Sequence, residues 1–186
     1  MPSARLILRP NTSVTEQLSP SGNQTNLQNA IGGIDDVEFN STGTLNQFDL
    51  FGAEDLPHVA DYILQVDVYF RAANLTGGTA KVKPLWKLDA NQVDGAEVTL
   101  TASWANYSQL DISCPDGDIW TPTKVNSTQI GYKLSTVSGG GNLDIHTTYF
   151  NVWYSYPSVV QRGYMMNRRR RLFRIYLDDK KKQIGL

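Results

Sequence analysis

The stretch Tyr62–Phe70, YILQVDVYF, decides the fold class, because its apolar side chains recur at every second position. One face of the stretch carries the even-numbered residues Tyr62, Leu64, Val66, Val68 and Phe70. The opposite face carries Gln65, Asp67 and Tyr69, and only Ile63 departs from the alternation. A period of two is typical of a half-buried strand in an antiparallel sheet, whereas a helix would scatter the same residues around its axis.

Further turn signals and alternating stretches follow this strand. Gly77–Gly78 predicts a hairpin that leads into a return strand over residues 82–88. Pro84 interrupts the return strand and indicates a sheet edge or a bulge, because proline lacks the amide hydrogen that a central strand needs. Asp94–Gly95 is a second hairpin signal, and it leads into another alternating stretch over residues 98–104.

The rest of the chain contains further predicted strands, one of them over residues 130–134, together with a loop and a helical turn. A short strand over residues 4–9, ended by a proline, precedes a long polar loop over residues 11–33. Thr121 and Pro122 predict one helical turn, with the threonine as N-cap and the proline at the first helical position. Residues 143–156 form a long final strand, with aromatic side chains on both of its faces.

Many short strands, separated by turn signals at roughly 8–12-residue intervals, indicate an antiparallel β-sandwich or a jelly roll. No long helical stripe and no repeat of fixed period competes with this interpretation. The sequence therefore predicts an all-β, jelly-roll-like antiparallel sandwich.

Charge is distributed unevenly along the 186 residues. Residues 1–157 carry eight Lys and Arg against sixteen Asp and Glu, whereas residues 158–186 carry nine against two. The sequence thus predicts an acidic β-sandwich domain, 1–157, followed by a basic C-terminal arm, 158–186, which we call the basic arm. We expect the basic arm to be extended or to form a hairpin that pairs with protein, because an isolated hairpin is marginally stable in water.

The basic arm combines positive charge with interleaved apolar residues. Its candidate subunit-docking residues are Arg162, Arg168, Arg169, Arg170, Arg171, Phe173, Arg174 and Tyr176. Arginine binds carboxylates through two parallel hydrogen bonds, and the acidic domain of a sister molecule supplies carboxylates. Such clusters also bind nucleic-acid phosphates. The interleaved apolar side chains favour a protein partner and make nucleic acid the weaker alternative.

The chain contains no motif of a catalytic or cofactor site. His58 and His146 lie in no nucleophile or metal motif, and Cys114 has no second cysteine with which to form a disulfide or a zinc site. Asp116 and Asp118 could ligate calcium, although a turn explains the same pattern. No apolar run approaches the roughly 20 residues of a membrane span. The sequence predicts a protein that is not an enzyme and that needs no cofactor, metal or membrane.

Aromatic residues are numerous, with four Trp, nine Tyr and six Phe. Trp104, Trp120 and Trp153, together with Tyr149, could form a platform for glycans, because the CH-rich face of a sugar packs on an aromatic ring. The same side chains could instead fill the core or line a subunit interface, where aromatic residues are enriched. The sequence alone favours the core or the interface.

Five short motifs follow one another in a recognisable order. They are ARLILRPNTS at 4–13, Asp61-Tyr62-Ile63, WTPTKVN at 120–126, Ile130-Gly131 and VWYSYP at 152–157. In this order they resemble a group of tailed-bacteriophage virion proteins with a jelly-roll-like sandwich. The resemblance covers about residues 4–157, and the basic arm departs from the pattern.

The resemblance implies a non-enzymatic virion structural protein, assembled in the host cytoplasm, that decorates or cements a bacteriophage capsid through subunit contacts. The implied partners are the major capsid protein or other virion proteins. By analogy the chain would be a homo-oligomer, a trimer, and repeated equal contacts over a particle would add avidity. A carbohydrate-binding receptor module of a phage tail or fibre is the alternative.

Overall fold

The computed structural model describes residues 2–18 and 39–157. Within these ranges the chain forms eleven strands and one short helix, α1 (Pro122–Ser127). The strands are β1 (Ser3–Leu8), β2 (Pro10–Thr15), β3 (Asn40–Thr42), β4 (Phe48–Ala53), β5 (Tyr62–Ala73), β6 (Thr79–Leu88), β7 (Asn91–Asp94), β8 (Val98–Thr99), β9 (Ala105–Gln109), β10 (Gln129–Ser138) and β11 (Leu143–Ser155).

Two antiparallel sheets form a sandwich. Sheet A has the strand order β1–β11–β5–β9, with β3 also pairing with β11. Sheet B has the order β2–β4–β10–β6–β7, with β8 also pairing with β6. Every strand pair in the described residues is antiparallel. The predicted all-β, jelly-roll-like sandwich is confirmed.

Most connections cross from one sheet to the other. The two predicted hairpins are wrong, because neither turn joins two strands that pair with each other. Gly77–Gly78 joins β5 of sheet A to β6 of sheet B. Both glycines have positive φ, 87° and 69°, which explains the turn but does not determine which sheet the next strand joins. Asp94–Gly95 separates β7 from β8, which pair with the same strand, β6. The hairpin of this region is β6–β7, and it turns at Asp89 with φ 53°.

A β-bulge at Leu64 explains the one irregularity in the alternating pattern of β5. Consecutive residues Trp153 and Tyr154 of β11 pair with Gln65 and Ile63 of β5, so Leu64 has no partner of its own in the register. The extra residue reverses the alternation. Ile63 therefore packs against the core, and Leu64 is exposed instead of buried as the pattern predicted.

Pro84 lies in a central strand, although the sequence suggested a sheet edge or a bulge. β6 pairs with β10 on one side and with β7 and β8 on the other. Pro84 lies between the residues that pair with β8 and those that pair with β7, and its carbonyl accepts a hydrogen bond of 2.8 Å from Gly95 N–H. The missing amide hydrogen faces this gap, so the proline costs the sheet no hydrogen bond.

The N-terminal region contains one more strand than predicted. β1 confirms the strand predicted over residues 4–9, and its pairing with β11 runs from Ser3 to Leu8. Pro10 then begins β2, which pairs with β4 in sheet B, so the start of the predicted polar loop is a strand. Residues 19–33 of that loop lie outside the described residues.

The predicted helical turn is confirmed as α1. Thr121 is its N-cap, and the threonine side chain accepts a hydrogen bond of 3.2 Å from Lys124 N–H. Pro122 occupies the first turn, where its missing amide hydrogen is not needed. Val125 is buried and anchors the helix to the core.

The core lies between the two sheets, and both contribute large side chains to it. Trp86, Tyr132, Phe51 and Phe150 are among its largest fully buried residues. Phe150 lies on the inner face of β11. The basic arm and its candidate docking residues lie outside the described residues, so its docking role stays a prediction. In the residues that the structure describes, no helix is long and apolar enough to cross a membrane.

Candidate functional site

The outer face of sheet A groups aromatic and hydrogen-bonding side chains from four strands. Successive side chains of a strand point to opposite sides of the sheet, so the residues that alternate with the core residues point away from the sandwich. The polar and aromatic residues that point outward on β1, β5, β9 and β11 include Arg5, Gln65, Asp67, Tyr69, Arg71, Asn106, Tyr149, Asn151 and Trp153. We call this set the outer face of sheet A.

A fixed chain of hydrogen bonds crosses three strands of this face. Asn151 Oδ1 accepts from Arg5 Nε at 2.5 Å, and Asn151 Nδ2 donates to Asp67 Oδ2 at 3.1 Å. Asp67 Oδ1 accepts from Gln65 Nε2 at 2.7 Å and from the backbone N–H of Asp111 at 2.9 Å. Asp67 and Asn151 are only 2% and 1% exposed. Their hydrogen bonds hold them in one arrangement, because a buried polar group without partners is costly.

Trp153 lies next to this chain of hydrogen bonds and is 38% exposed. The guanidinium carbon of Arg5 lies 5.6 Å from the centre of the Trp153 ring. A guanidinium over an indole face is attracted to it electrostatically. Arg5 thus fixes the orientation of the indole and at the same time binds Asn151.

Tyr69 and Tyr149 form a second aromatic element on the same face. They lie directly opposite each other on β5 and β11, and their rings stack at 5.3 Å with an angle of 2° between planes. Partial burial raises the pKa of Tyr149, Tyr69 raises it further, and Arg5 lowers it. The Tyr149 phenol therefore stays neutral at physiological pH and can both donate and accept a hydrogen bond.

A cleft of about 210 Å³ adjoins the tyrosine pair between β5, β9 and β11. Arg71, Asn106 and Thr147 line it together with Tyr69 and Tyr149. Arg71 Nη1 donates to Asn106 Oδ1 at 3.3 Å. The cleft therefore combines aromatic side chains with an arginine, an amide and a hydroxyl.

Exposed apolar side chains border the Trp153 end of the face. Tyr62, Leu64 and Leu110 are each more than half exposed. Leu64 precedes the residue that pairs with Trp153, and Leu110 precedes Asp111, whose N–H reaches the chain of hydrogen bonds. Apolar side chains grouped at a surface in this way are typical of binding sites.

The three candidate platform tryptophans do not share one surface. Trp104 packs edge-on against Phe39 at 5.4 Å and against His146 at 6.0 Å. His146 and Trp153 are seven residues apart on β11, which corresponds to about 23 Å along a strand. Trp120 packs against the core, and its Nε1 donates to the carbonyl of Ile112 at 2.8 Å. Among the three, Trp153 alone lies on the outer face of sheet A.

The calcium candidate is occupied by a lysine. Lys124 Nζ lies 2.7 Å from a carboxylate oxygen of Asp116 and 3.2 Å from one of Asp118. Hydrogen bonding to Lys124 holds the pKa of Asp116 at about 2. An ammonium group therefore already occupies the position between the two carboxylates where a cation would bind. Among the described residues, no three or more His, Cys, Asp or Glu side chains are grouped in a way that could hold a metal ion.

Cys114 is buried, and burial raises the pKa of its thiol to about 11, with a hydrogen bond to Asp116 as a second cause. Only the thiolate is nucleophilic, and with this pKa roughly one thiol in a thousand is ionised at pH 8. We expect iodoacetamide to leave Cys114 unmodified at pH 8 under conditions that alkylate it fully in 6 M guanidinium chloride, as measured by intact mass. Equal alkylation rates in both conditions would contradict the buried placement.

The residues Arg5, Gln65, Asp67 and Asn151 were not among the candidates from the sequence. The sequence placed Gln65 and Asp67 on the polar face of their strand, where side chains are usually in contact with solvent. One signal could have found the site: the polar faces of the two longest strands, β5 and β11, also carry Tyr69, Tyr149 and Trp153.

The comparisons with known proteins give distant similarities of fold. No protein-family model matches the chain, and no curated protein matches it. The chain is similar to the CBM36-1 domain of a multidomain xylanase from the hindgut metagenome of Trinervitermes trinervoides, with 13% identity and a TM-score of 0.43 over 80% of this chain and 96% of that one. A structure described as "CBM4 structure and function" has 15% identity and a TM-score of 0.34, over 62% of this chain and 76% of that one. Both neighbours are carbohydrate-binding modules, and neither similarity assigns a ligand to this chain.

Proposed function

We propose that this protein is a non-catalytic carbohydrate-binding β-sandwich that holds a glycan on the outer face of sheet A. The observation that carries the proposal is the exposed indole of Trp153, held in place by Arg5 next to a fixed chain of hydrogen-bonding groups.

The aromatic part of the face suits sugar rings. The CH-rich side of a sugar packs on an aromatic ring, and a ring that is already fixed loses little conformational entropy on binding. Arg5 covers one side of the Trp153 indole, so a sugar would stack on the other. Trp153 and Tyr149 are four residues apart on β11, about 13 Å along a strand. The face can therefore hold an extended glycan at two separate points.

The polar part of the face suits sugar hydroxyls. Specific ligand sites place a few oriented polar groups among apolar ones. Arg5, Gln65 and Asn151 are oriented by their bonds to one another and to Asp67. Asp67 already accepts three hydrogen bonds, which suits a structural role in the site better than proton transfer. This arrangement supports binding without catalysis.

Trp153→Ala tests the proposal. We expect the glycan affinity to fall about 30-fold or more, because a central aromatic residue of a binding site typically contributes about 2 kcal/mol or more. The measurement is binding of the full chain to a broad array of bacterial and plant polysaccharides, followed by titration calorimetry with the best ligand. Val14→Ala, at an exposed position on β2 of sheet B, is the matched control and should bind like the unmodified protein.

The proposal fails if the unmodified chain binds no polysaccharide on the array, or if Trp153→Ala binds as tightly as the unmodified chain. Loss of binding in both Trp153→Ala and Val14→Ala would indicate a folding defect. Circular dichroism of each variant distinguishes a folding defect from a loss of the binding site. Trp120→Ala is a poor substitute, because Trp120 packs against the core and its removal would destabilise the fold.

The virion role inferred from the motif order and from the basic arm stays a prediction. A glycan-binding face is compatible with a receptor module on a phage tail or fibre, which was the alternative function. The bacteriophage context, the capsid partners, the trimer and the virion location all rest on that resemblance alone.

A further inference from the structure

We propose that the basic arm docks on an exposed apolar surface of its own chain, at the Trp153 end of the outer face of sheet A. This surface consists of Tyr62 and Leu64 on β5 and Leu110 just after β9, and we call it the apolar patch. The inference goes beyond the proposed function and does not depend on it, because the residues of the patch are not those proposed to hold a glycan.

The three side chains of the apolar patch are each more than half exposed. Leu64 is next to the residue that pairs with Trp153, and Leu110 directly precedes Asp111, whose N–H bonds to a carboxylate of β5. The three side chains thus lie on the same part of sheet A. Exposed apolar side chains that are grouped in this way are typical of a surface that another segment covers.

Two acidic side chains border the apolar patch. Asp61 directly precedes Tyr62, Asp111 directly follows Leu110, and both aspartates are exposed. Among the described residues, no lysine or arginine forms an ion pair with either carboxylate. A partner that suits this surface would therefore present cations together with apolar side chains.

The basic arm has the complementary composition. It carries nine Lys and Arg against two Asp and Glu. Four consecutive arginines at 168–171 are followed by LFRIYL at 172–177, in which apolar side chains flank a further arginine. Arginine holds a carboxylate through two parallel hydrogen bonds, and the neighbouring apolar side chains can cover exposed apolar surface. The arm and the patch thus match in charge and in polarity.

The place where the chain leaves the sandwich favours the arm of the same molecule over that of a second copy. Ser155, the last residue of β11, lies directly opposite Tyr62, so the arm begins close to the patch. The patch extends about 17 Å along β5, whereas ten extended residues span about 33 Å. The arginines at 168–171 can therefore reach all of it. A short tether also gives an effective concentration in roughly the millimolar range, above that of a second copy in micromolar solution.

Photocrosslinking of the full chain tests the inference. The photoreactive amino acid p-benzoylphenylalanine replaces Leu64, and in a matched control it replaces Val14, which is exposed on β2 of sheet B. We expect irradiation to join position 64 to peptides of the basic arm about tenfold more often than position 14, as counted by peptide mass spectrometry, because tethered docking raises the local concentration of the arm at one surface only. If position 64 forms no crosslink with the arm, or position 14 forms as many, the inference fails.

Isotope labelling distinguishes the arm of the same chain from that of a second copy. Labelled and unlabelled chains that both carry the probe at position 64 are mixed before irradiation. We expect every crosslinked pair of peptides to be either fully labelled or fully unlabelled. Mixed pairs would show that a sister molecule supplies the arm, and they would overturn the assignment to the same chain.

Charge exchange tests whether the acidic border holds the arm. Replacing the arginines at 168–171 by glutamate should lower the crosslink yield at position 64 about threefold or more, because each exposed ion pair contributes a factor of roughly 1.5 to 5. Asp61→Lys combined with Asp111→Asn should restore much of that yield. Asparagine suits position 111, because the residue there has a positive φ of 53°. An unchanged yield with the glutamate arm, or no recovery with the exchanged border, would overturn the inference.

Discussion

Gly131→Ala is expected to destabilise the protein by more than the roughly 1–3 kcal/mol that is usual for overpacking. Gly131 lies in the middle of β10, between Leu50 of β4 and Leu85 of β6. A Cβ atom at this position would lie 1.9 Å from the carbonyl oxygen of Asp49 and 2.9 Å from its carbonyl carbon. Because these are backbone atoms of a paired strand, no side-chain rotation can relieve the clash, and β4 must separate from β10. Urea denaturation followed by circular dichroism measures the loss.

Gly117→Ala is the matched control for this effect. Gly117 has a positive φ of 79°, but a Cβ there would meet no atom within 4 Å. Its replacement should cost only the strain of a left-handed backbone, about 1–2 kcal/mol. Gly131 has no such strain, so its effect would be purely steric. If Gly131→Ala costs no more than Gly117→Ala, then the close approach of β4 and β10 is incorrect.

The strands that could be predicted are those whose side chains have two different faces. In β5, β10 and β11 the alternation follows directly from burial of one face against the other sheet, and that pattern is local in sequence. α1 could be predicted for a related reason, because its start depends on two neighbouring residues. The Thr121 side chain accepts a hydrogen bond from a backbone amide of the first turn, and Pro122 has no amide hydrogen that needs a partner. These features need no knowledge of which strands are neighbours.

The connections could not be predicted, because a turn signal does not carry the identity of the next partner. Gly77–Gly78 turns the chain in the same way whether the following strand pairs with β5 or crosses to the other sheet. The bulge at Leu64 is equally hidden, since it depends on the register between β5 and β11. The strand β2 was also missed, because its side chains are mostly exposed and show little apolar periodicity.

The site was hidden for a different reason. Arg5 and Asn151 are separated by 146 positions in sequence, and Asn151 and Asp67 by 84. Each residue is ordinary on the polar face of its own strand, and only the order β1–β11–β5 brings the three together. The fold also separates Trp153 from Trp104 and Trp120, although the sequence analysis had placed all three in one candidate platform. Strand order, which the alternating pattern does not encode, thus decides where the site lies.

Asp49→Ala is expected to destabilise the protein by about 3 kcal/mol or more, because it leaves four donors without their charged acceptor and a hydrogen bond to a charged group contributes about 1.5–3 kcal/mol. Asp49 is fully buried, and its Oδ1 accepts from the backbone N–H groups of Gln17 at 2.6 Å and Leu18 at 3.0 Å. Its Oδ2 accepts from Asn40 Nδ2 at 3.1 Å and from the hydroxyl of Tyr132 at 2.9 Å. Urea denaturation measures the loss, and hydrogen exchange at the two backbone amides locates it.

Tyr132→Phe is the control that sets the scale, because it removes one of the four donors and leaves the carboxylate in place. Burial, and after it the charge of Asp49, raises the pKa of Tyr132, so its hydroxyl keeps its proton and acts as the donor to the carboxylate. Losing this one bond should cost about 1–3 kcal/mol, less than the loss of Asp49. Since Asp49 joins the chain segment after β2 to β3, β4 and β10, its removal should also release the amides of Gln17 and Leu18 to fast exchange, whereas Tyr132→Phe should leave them protected. Equal stabilities for the two variants, or unchanged protection at those amides in Asp49→Ala, would show that the carboxylate does not tie the two sheets of the sandwich to this segment.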